Sequence, residues 1–465
     1  MRKLFFLFFV ICSLNSIAQI KPIGLLPANA HYFYYNGKPT VLITSGEHYG
    51  AVLNPDFDFV TYLKELKRNG LNMTRTMTGA YMEPVGAFDI EKNTLGPQAS
   101  RFICPFARSM VNNTPEKGNK FDLNKWDDAY FVRLKSFMAE AYKQGVIVEL
   151  SLFCPFYEDG QWFLSPFNTI NNINAVGNIK RDEPYTLDKS DGLLAFQEKM
   201  VRKLVAELKR FPNLMYEISN EPYFGGITAE WQKHISQVIA DAEKPFTHKH
   251  LITQNIANYT ELITKPNPLV SVFNFHYASP PNAITLNYGL NKAIGNNETG
   301  FKGQKDSTYR KQAWEFMLAG GALFNNLDYS FTVGHENGTF KYPAPQPGGG
   351  TRAYRDQLGY LKKFLESFQF QNFKPDSTIC VGGIPEGCTS YMLIEQGKQY
   401  AFYAMALTSI SPVFNIPAGK YRVEWLNPVT GLYGKKIKIN HKGGTLKLKS
   451  PKTSEDIALS IKRIK

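Results

Sequence analysis

Between residues 40 and 370, short apolar segments alternate with segments whose apolar residues recur at helical spacing. Residues 58–68 are followed by an extended segment over 71–75, and the same order recurs at 125–152 and 193–219. Such alternation predicts strand–helix–strand units, which build parallel sheets. Eight strands in a stretch of this length favour a closed (β/α)8 TIM barrel over an open doubly wound sheet. The predicted strands are 40–44, 71–75, 146–152, 214–219, 251–254, 269–274, 292–295 and 322–327.

Beyond residue 370 the helical pattern gives way to short strands separated by Gly, Pro and Asn turns, among them 399–405, 419–425 and 435–439. This change is typical of an all-β unit. We therefore predict an α/β chain with two folded domains, a (β/α)8 barrel over 19–372 and a small β-sandwich over 373–465.

The beginning of the chain has the pattern of a secretory signal. Two basic residues at 2–3 precede an apolar stretch over 4–12 and a small-residue pattern over 16–18. We predict a signal peptide over 1–18 and export to the periplasm or the exterior, with surface anchoring as the alternative. After the first 20 positions the sequence contains no apolar run of 18 residues, so we predict no membrane span.

The cysteines bear on the compartment and on metal binding. Export to an oxidising compartment permits disulfides. Cys380 and Cys388 bracket a turn-rich stretch, so we predict that these two residues pair, while the pairing of Cys104 with Cys154 stays open. The sequence shows no Cys-x-x-Cys motif and no clustered Cys/His spacing of a zinc site. We predict neither a metal ion nor a cofactor.

The net charge of +13 raises nucleic acid as a possible partner. Ten basic and only two acidic residues lie in 431–465, however, so eight of the thirteen charges belong to this short segment. There, 436–439 and 446–449 alternate apolar with basic residues, which predicts strands with one solvated face. Because aromatic residues are not interleaved with the basic ones, we predict no nucleic-acid partner.

Functional groups of a (β/α)8 barrel lie at the carboxyl ends of its strands, so paired acids at these ends are the candidates for catalysis. Glu221 follows the fourth predicted strand and Glu298 follows the seventh. These strands face each other across the barrel mouth. Two carboxyl groups about 5–5.5 Å apart can split a glycosidic bond with retention, one as acid and base and the other as nucleophile. Glu315 and Glu336 are weaker candidates, because Glu315 lies within a helix and Glu336 in a loop after the eighth strand.

The segment Asn220-Glu221-Pro222 at the fourth strand, together with Glu298 at the seventh, resembles the signature of the retaining glycosidases of clan A. Within that clan the chain is similar to glycoside hydrolase family 5, the cellulase and mannanase family, over most of residues 28–370. Further matches are 36–39 before the first strand, 70–75 on the second and His276-Tyr277 on the sixth. The chain departs from the family 5 pattern at 152–155, where an apolar run replaces a polar residue, commonly His; a related family of the clan is therefore also open.

The resemblance implies Glu221 as acid/base and Glu298 as nucleophile. It also implies that Asn220 binds the sugar 2-hydroxyl and that Arg75 and Tyr277 orient the nucleophile. On charge grounds, Arg75 beside Glu298 would keep the nucleophile ionised, although Arg75 could instead pair with a loop carboxylate such as Glu83.

Other candidate substrate contacts come from position alone. His276 is either a substrate contact or a satisfied core histidine. The remaining candidates lie at the barrel mouth or, for the tryptophan, in an aromatic segment that could stack on sugars or pack in the core. They are Glu47, His48, Trp162 and Tyr329.

We expect a secreted, monomeric glycoside hydrolase whose partner is a carbohydrate substrate. Two alternatives remain: a non-catalytic carbohydrate-binding protein on the same barrel, and a polyanion-binding module that uses the basic segment. The long connections 78–121 and 153–189 must build walls around the site. Whether those walls form an open cleft or a closed pocket, and hence endo or exo action, is not decided by the sequence.

Overall fold

A computed structural model of the chain describes residues 21–464. The predicted signal peptide at 1–18 therefore lies outside the described residues. The described chain opens with a three-stranded antiparallel sheet, whose second and third strands join at a tight turn with positive φ at Asn36 (48°) and Gly37 (78°). Its strands are β1 (Gly24–Leu26), β2 (Asn29–Tyr35) and β3 (Lys38–Thr40).

A parallel sheet of eight strands follows, and it confirms the predicted barrel. The order is β4-β13-β12-β11-β10-β9-β8-β5, and every hydrogen-bonded pair in it is parallel. The strands β6 and β7 form a separate hairpin in the long connection after β5. The strands are β4 (Leu42–Gly46), β5 (Met73–Met77), β6 (Phe106–Asn112), β7 (Asn119–Trp126), β8 (Ile147–Phe153), β9 (Leu214–Ser219), β10 (Leu251–Asn258), β11 (Val272–His276), β12 (Ala293–Glu298) and β13 (Leu323–Leu327).

The first two barrel strands are joined by one asparagine side chain. Asn72 accepts a hydrogen bond from the backbone N–H of Ile43 (3.0 Å) and donates to the carbonyl of Val41 (2.8 Å). The backbone N–H of Asn72 donates to the Ile43 carbonyl (3.3 Å). The amide thus occupies backbone groups that a ladder would otherwise pair, and it closes the barrel between β4 and β5.

The interior of the barrel is filled in layers, because alternate residues of each strand face the axis. At the amino-terminal end, each strand contributes one apolar side chain to a cluster that Ile23, Phe33 and Tyr35 cover from below. Two residues further along each strand, the inward positions become polar, although they are equally buried. This second layer comprises Thr44, Arg75, Glu149, Glu217, Thr253, Asn274, Gly295 and Asn325.

Helices surround the barrel, and the main ones begin at residues whose side chains cap free N–H groups. Asp58, Asp127, Thr228 and Thr351 all accept such bonds. The predicted helix start at 125 was too early, since β7 continues to Trp126. The helices are α1 (Phe59–Arg68), α2 (Asp128–Gln144), α3 (Asp159–Leu164), α4 (Leu193–Leu208), α5 (Ala229–Glu243), α6 (Asn282–Asn287), α7 (Asp306–Leu318) and α8 (Arg352–Glu366). None of these described helices combines the length and apolar character needed to span a membrane.

The rest of the described chain forms two antiparallel sheets around a second apolar cluster, which confirms the all-β unit. One sheet has the order β14-β16-β17-β22-β19-β20 and the other β15-β18-β21. In the basic segment, Lys436, Lys438, Lys447 and Lys449 are exposed. The strands are β14 (Lys374–Pro375), β15 (Cys380–Gly382), β16 (Ser390–Glu395), β17 (Gln399–Met405), β18 (Val413–Ile416), β19 (Gly419–Leu426), β20 (Ile437–His441), β21 (Gly444–Lys447) and β22 (Asp456–Arg463).

The β-sandwich packs on α7 of the barrel. The ring of Trp314 stacks on Tyr403 at 5.3 Å between centroids. Beside this stack, the buried guanidinium of Arg310 donates to both carboxylate oxygens of Asp456, each at 3.0 Å, and Tyr403 donates to the same carboxylate. The two parts also share one continuous apolar cluster. The division at 372/373 stays a prediction.

The predicted Cys380–Cys388 disulfide is wrong for this structure. All four cysteines within 21–464 are free thiols. Cys380 lies in β15, where it pairs with Phe414 of β18, and its Sγ faces the carbonyl of Gly382 (3.7 Å). The side chain is therefore directed along its own strand.

The contact between Arg310 and Asp456 leads to a stability prediction. Replacing Asp456 with Ala leaves a buried guanidinium without its main counter-charge, so we expect the free energy of unfolding to fall by about 3–5 kcal/mol. Urea unfolding followed by tryptophan fluorescence measures this change. Lys244→Ala, which breaks an exposed ion pair with Asp241, is the control and should change the midpoint far less. Equal effects of the two substitutions would contradict the proposed importance of this contact.

Candidate active site

The two candidate glutamates meet at the carboxyl ends of the barrel strands. Glu298 is the last residue of β12, and Glu221 lies two residues after the end of β9. Both are nearly buried, with 5% and 6% of their surface exposed. One carboxylate oxygen of each and a ring nitrogen of His276 all lie within 4.8 Å of one another. The fold therefore brings together two acids that are 77 positions apart in the sequence.

Glu298 is surrounded by hydrogen-bond donors. Oε2 accepts from Tyr49 (2.7 Å) and from Nη1 of Arg75 (3.1 Å), and Oε1 accepts from Tyr277 (2.6 Å). Nδ1 of His276 lies 3.4 Å from Oε1. Burial alone would raise the pKa of Glu298, but the positive charges and hydrogen bonds of His276 and Arg75 hold it well below its usual range. Glu298 is thus an ionised carboxylate at neutral pH.

Glu221 has a different set of neighbours. Its Oε2 accepts a hydrogen bond from Tyr157 (2.7 Å), and its Oε1 faces Nδ1 of His276 (3.0 Å) and the hydroxyl of Tyr223 (3.3 Å). Arg75 donates to Glu298 and not to Glu221. The two glutamates consequently differ in their proximity to the fixed positive charge.

Glu221 and the two tyrosines that donate to Glu298 have left-handed backbone conformations, which are costly for residues other than glycine. The φ angles are 27° at Glu221, 53° at Tyr277 and 60° at Tyr49. Tyr277 and Tyr49 are the two tyrosines that donate to Glu298. The surrounding fold therefore imposes an unfavourable backbone at the positions that aim these side chains.

His276 lies between the two acids. Burial would lower its pKa, but the carboxylates of Glu298 and Glu221 raise the pKa of His276 to about 9. A ligand trio of this kind is also a candidate metal site. Here, however, Arg75 and the protonated imidazole already supply positive charge to the same carboxylates, which disfavours a further cation.

Arg75 is fully buried and is held by carboxylates of the inner polar layer. Nε and Nη2 donate to Oε2 of Glu217, with an Nε–O distance of 3.0 Å, and Nη2 also donates to Oδ1 of Asn220 (2.6 Å). Glu149 lies 3.8 Å from Nε. The alternative pairing of Arg75 with Glu83 is not found among residues 21–464. Arg75 instead links Glu217 of the inner polar layer to Glu298.

The glutamates open onto a cavity of about 300 Å³. Residues from the carboxyl ends of all eight barrel strands, or from the loops that follow them, surround it. The side chains are aromatic, apolar and polar in mixture, which suits a sugar with its apolar ring faces and polar edges. The lining residues are His48, Tyr49, Met77, Glu83, Phe88, Leu95, Cys154, Tyr157, Asn220, Glu221, Phe224, Asn258, Tyr259, Tyr277, Glu298, Phe301, Lys302 and Leu327.

Five predicted contacts lie outside this lining; of these, Arg75 and His276 bond directly to the glutamates, whereas Glu47, Trp162 and Tyr329 do not. Glu47 accepts bonds from the backbone N–H groups of Gly50 (2.9 Å) and Ala51 (3.1 Å), so it organises the loop after β4. The indole of Trp162 donates to the carbonyl of Ile179 (3.0 Å) and packs within its own loop. Tyr329 is buried behind His48, with ring centroids 5.5 Å apart. We therefore leave these three residues out of the site.

The weaker acid candidates also lie elsewhere. Glu315 bonds to Thr389 of the sandwich (2.7 Å), and Glu336 caps backbone N–H groups of Asp58 and Gly334. Conversely, position alone did not identify Glu217 and Glu149. A signal for Glu149 and Glu217 was present, because each stands at an inward position of an otherwise apolar strand.

The sequence matches no protein-family model and no curated protein sequence at a significant level. Solved structures do align over nearly the whole chain. One named as a glycoside hydrolase has a TM-score of 0.65 at 15% identity, over 96% of this chain and 97% of that one. A glycoside hydrolase family 5 protein from Bacteroides vulgatus has a TM-score of 0.64 at 14% identity, over 95% and 93%.

A third structure, a family 30 subfamily 8 xylanase from Clostridium acetobutylicum, aligns with a TM-score of 0.50 at 13% identity, over 91% and 95% of the two chains. At such identities the likeness shows the fold. It confirms a (β/α)8 barrel followed by a β-rich part, the architecture that the pattern of strands and helices predicted.

The environment of His276 gives a spectroscopic prediction. Its folded pKa of about 9 exceeds the value of about 6.5 for an unfolded chain. The imidazolium therefore stabilises the fold fully below about pH 6.5, and this contribution is lost as the pH rises through about 9. Imidazole ¹⁵N shifts recorded against pH, assigned with the His276→Asn variant, should show a midpoint well above 6.5. A midpoint at or below 6.5 would contradict the ionic contact.

Proposed function

We propose that the protein is a glycoside hydrolase that cleaves O-glycosidic bonds with retention of configuration. The observation that carries the proposal is the pair of buried glutamates, Glu221 and Glu298, with carboxylate oxygens within 4.8 Å of each other at the barrel mouth. Retaining enzymes hold their two carboxyl groups about 5–5.5 Å apart, whereas inverting enzymes leave about 6.5–9.5 Å for a water molecule. The separation here supports direct attack by a carboxylate.

The roles follow from the neighbours of each acid. Arg75, Tyr49, Tyr277 and His276 keep Glu298 ionised and fix its orientation, so Glu298 is the nucleophile. Glu221 receives no bond from Arg75, so its protonated form is the acid. The structural neighbour from Bacteroides vulgatus is named as a glycoside hydrolase of family 5, which is in keeping with this chemistry.

In the first step, an oxygen of Glu298 attacks the anomeric carbon while the bond to the leaving oxygen breaks. That oxygen takes the proton of Glu221, and the sugar remains as an ester of Glu298. In the second step, a water molecule gives a proton to Glu221 and its oxygen attacks the anomeric carbon. Glu298 leaves as a carboxylate, and both glutamates return to their starting states.

Substitution of the two acids tests the proposal. With aryl glycosides of the common hexoses and pentoses as probes, Glu298→Gln should reduce kcat to less than about 10⁻³ of wild type. Glu221→Gln should reduce it by about 10²–10⁴-fold on substrates with poor leaving groups. Glu336→Gln, an acid of the neighbouring loop, is the matched control and should retain activity.

Two further readouts separate the roles. For Glu221→Ala, added azide should restore turnover and give a glycosyl azide, because azide can attack the ester without base catalysis. Proton NMR of the first product formed by the wild-type enzyme should show the anomeric configuration of the substrate. Glycan binding that is equal in wild type and Glu298→Gln, without turnover of any probe, would favour the non-catalytic carbohydrate-binding protein instead.

Tyr277 supplies a pH test. Its hydroxyl donates to Oε1 of Glu298, so Tyr277→Phe removes a stabilising bond from the charged form of that carboxylate. The pKa of Glu298 should rise, and the acidic limb of the kcat/KM profile should therefore move to higher pH. Tyr259→Phe, which alters an exposed ring of the same cavity, is the control and should leave the limb in place. An unshifted limb in Tyr277→Phe would contradict the assignment of Glu298.

A further inference from the structure

The cavity is asymmetric about the two glutamates. Around Glu221, the rings of Tyr223, Phe224 and Tyr259 are 37%, 43% and 55% exposed, so this side is open to solvent. On the other side, next to the Tyr49 that binds Glu298, His48 and Glu83 are only 7% and 3% exposed. The cavity therefore has an exposed aromatic rim, to which Phe88 and Phe301 also belong (39% and 40% exposed), and the His48–Glu83 pair is its buried polar end.

The buried polar end is a pair of charged groups. Nε2 of His48 lies 3.4 Å from Oε1 of Glu83. Tyr81 donates to the same oxygen (3.0 Å), and Asn93 donates to Oε2. Both His48 and Glu83 line the cavity, and neither has a part in the double displacement derived above. A fixed carboxylate beside an imidazole is well suited to bind neighbouring sugar hydroxyls, because it offers both acceptors and a donor.

Two loops meet behind His48 and Glu83. The loop after β5 carries Glu83, and the backbone N–H of its residue Glu91 donates to Oε1 of Gln346 in the loop after β13 (3.0 Å). Lys92 lies over the ring of Phe340 at 5.0 Å. The two loops are therefore in direct contact at this end of the cavity, with a surface groove between them that Asn93, Pro343 and Gln346 line.

The loop after β13 also packs against His48. Tyr329 packs against His48 and against Tyr342, with ring centroids 5.5 and 6.4 Å apart. Tyr342 in turn donates to the carbonyl of Gly348 (3.1 Å), and an added Cβ at Gly348 would lie only 2.1 Å from the Tyr329 ring. These contacts pack the loop after β13 closely against His48, and the Tyr329 ring leaves no space for a side chain at Gly348.

The chemistry of the two acids orients a substrate in this cavity. The acid, Glu221, must lie beside the leaving oxygen, so the leaving group extends toward the open aromatic rim. The sugar attacked by Glu298 then points its far edge, opposite the anomeric carbon, toward His48 and Glu83. A cavity of about 300 Å³ is at the small end of ligand pockets and has room for a sugar unit beside the two acids.

We propose that the enzyme is exo-acting: it removes single sugars from the non-reducing end of a glycan, and His48 and Glu83 bind the terminal hydroxyls of that sugar. This inference rests on the glycosidase function proposed above. It accounts for the contact between the two loops behind His48 and Glu83, because only a terminal sugar has no further unit on the side of His48. It also accounts for the open rim, where Tyr223, Phe224 and Tyr259 offer faces for the remaining glycan.

The product pattern of the wild-type enzyme tests this directly. The probe is a hexasaccharide of whichever sugar is active as an aryl glycoside, labelled at its reducing end. Exo action releases a monosaccharide, and the first labelled product is the pentasaccharide. A hexasaccharide whose non-reducing terminal hydroxyl is methylated should resist cleavage. Early labelled products of several lengths, or cleavage of the methylated probe, would overturn the exo assignment while leaving the glycosidase function intact.

A cycle of variants tests the binding pair. On the active aryl glycoside, His48→Ala should lower kcat/KM by about 10- to 100-fold. Replacing the substrate with its 3-deoxy or 4-deoxy analogue should lower the kcat/KM of the wild-type enzyme by a similar factor. The same replacement should lower the kcat/KM of His48→Ala little further. A merely structural role of His48 would not produce this difference. His234→Ala, which breaks a His–Glu contact with Glu198 on the outer helices, is the matched control. Equal losses on the deoxy analogues in both enzymes would overturn the assigned contact, and inactivity of wild type on every glycoside would instead contradict the proposed function.

Discussion

The guanidinium of Arg75 is the one positive charge of the inner polar layer, and it compensates the carboxylates placed around it. A buried charge of this kind is tolerated only when it is paired and hydrogen-bonded, and Glu217, Asn220 and Glu298 supply those bonds. Arg75 therefore couples the packing of the barrel to the state of Glu298. The same contact that allows an arginine to be buried keeps Glu298 ionised and oriented.

The polar layer continues around the barrel through amides and hydroxyls. Asn297 donates to both Glu149 (3.0 Å) and Glu217 (2.7 Å), while Thr253 and Asn274 donate to Glu149. Burial and the nearby charge of Glu217 raise the pKa of Glu149 to about 6. Only glycine fits at position 295, because an added Cβ would lie 2.2 Å from the amide oxygen of Asn274. The layer is thus closely fitted, and it places the active-site floor on rigid strands.

Above that floor, loops decide what can enter. The loop after β4 is held by Glu47 and supplies His48 and Tyr49, and the long loops after β5 and β13 contact each other beside the cavity. The β-sandwich lies on the outside of the barrel, against α7, and none of its described residues lines the cavity. Its contacts through Arg310 and Asp456 support the scaffold and leave the chemistry to the barrel mouth.

The sequence by itself determined the alternation of strands and helices, the change to an all-β pattern after residue 370 and the two strand-end acids, because these features depend on local periodicity and position. It placed the strand ends within a few residues, as the sixth strand shows: predicted at 269–274, it spans 272–276.

Only the tertiary structure decided which of the mouth residues meet. Glu47 and Trp162 have the right position along the chain, yet their side chains turn to backbone groups of their own loops. The partners of Arg75, the pairing of His48 with Glu83 and the free state of Cys380 and Cys388 depend on side-chain direction and on contacts between distant segments. Those contacts form only when the closed barrel brings its strand ends to one surface, and no local pattern in the sequence encodes them.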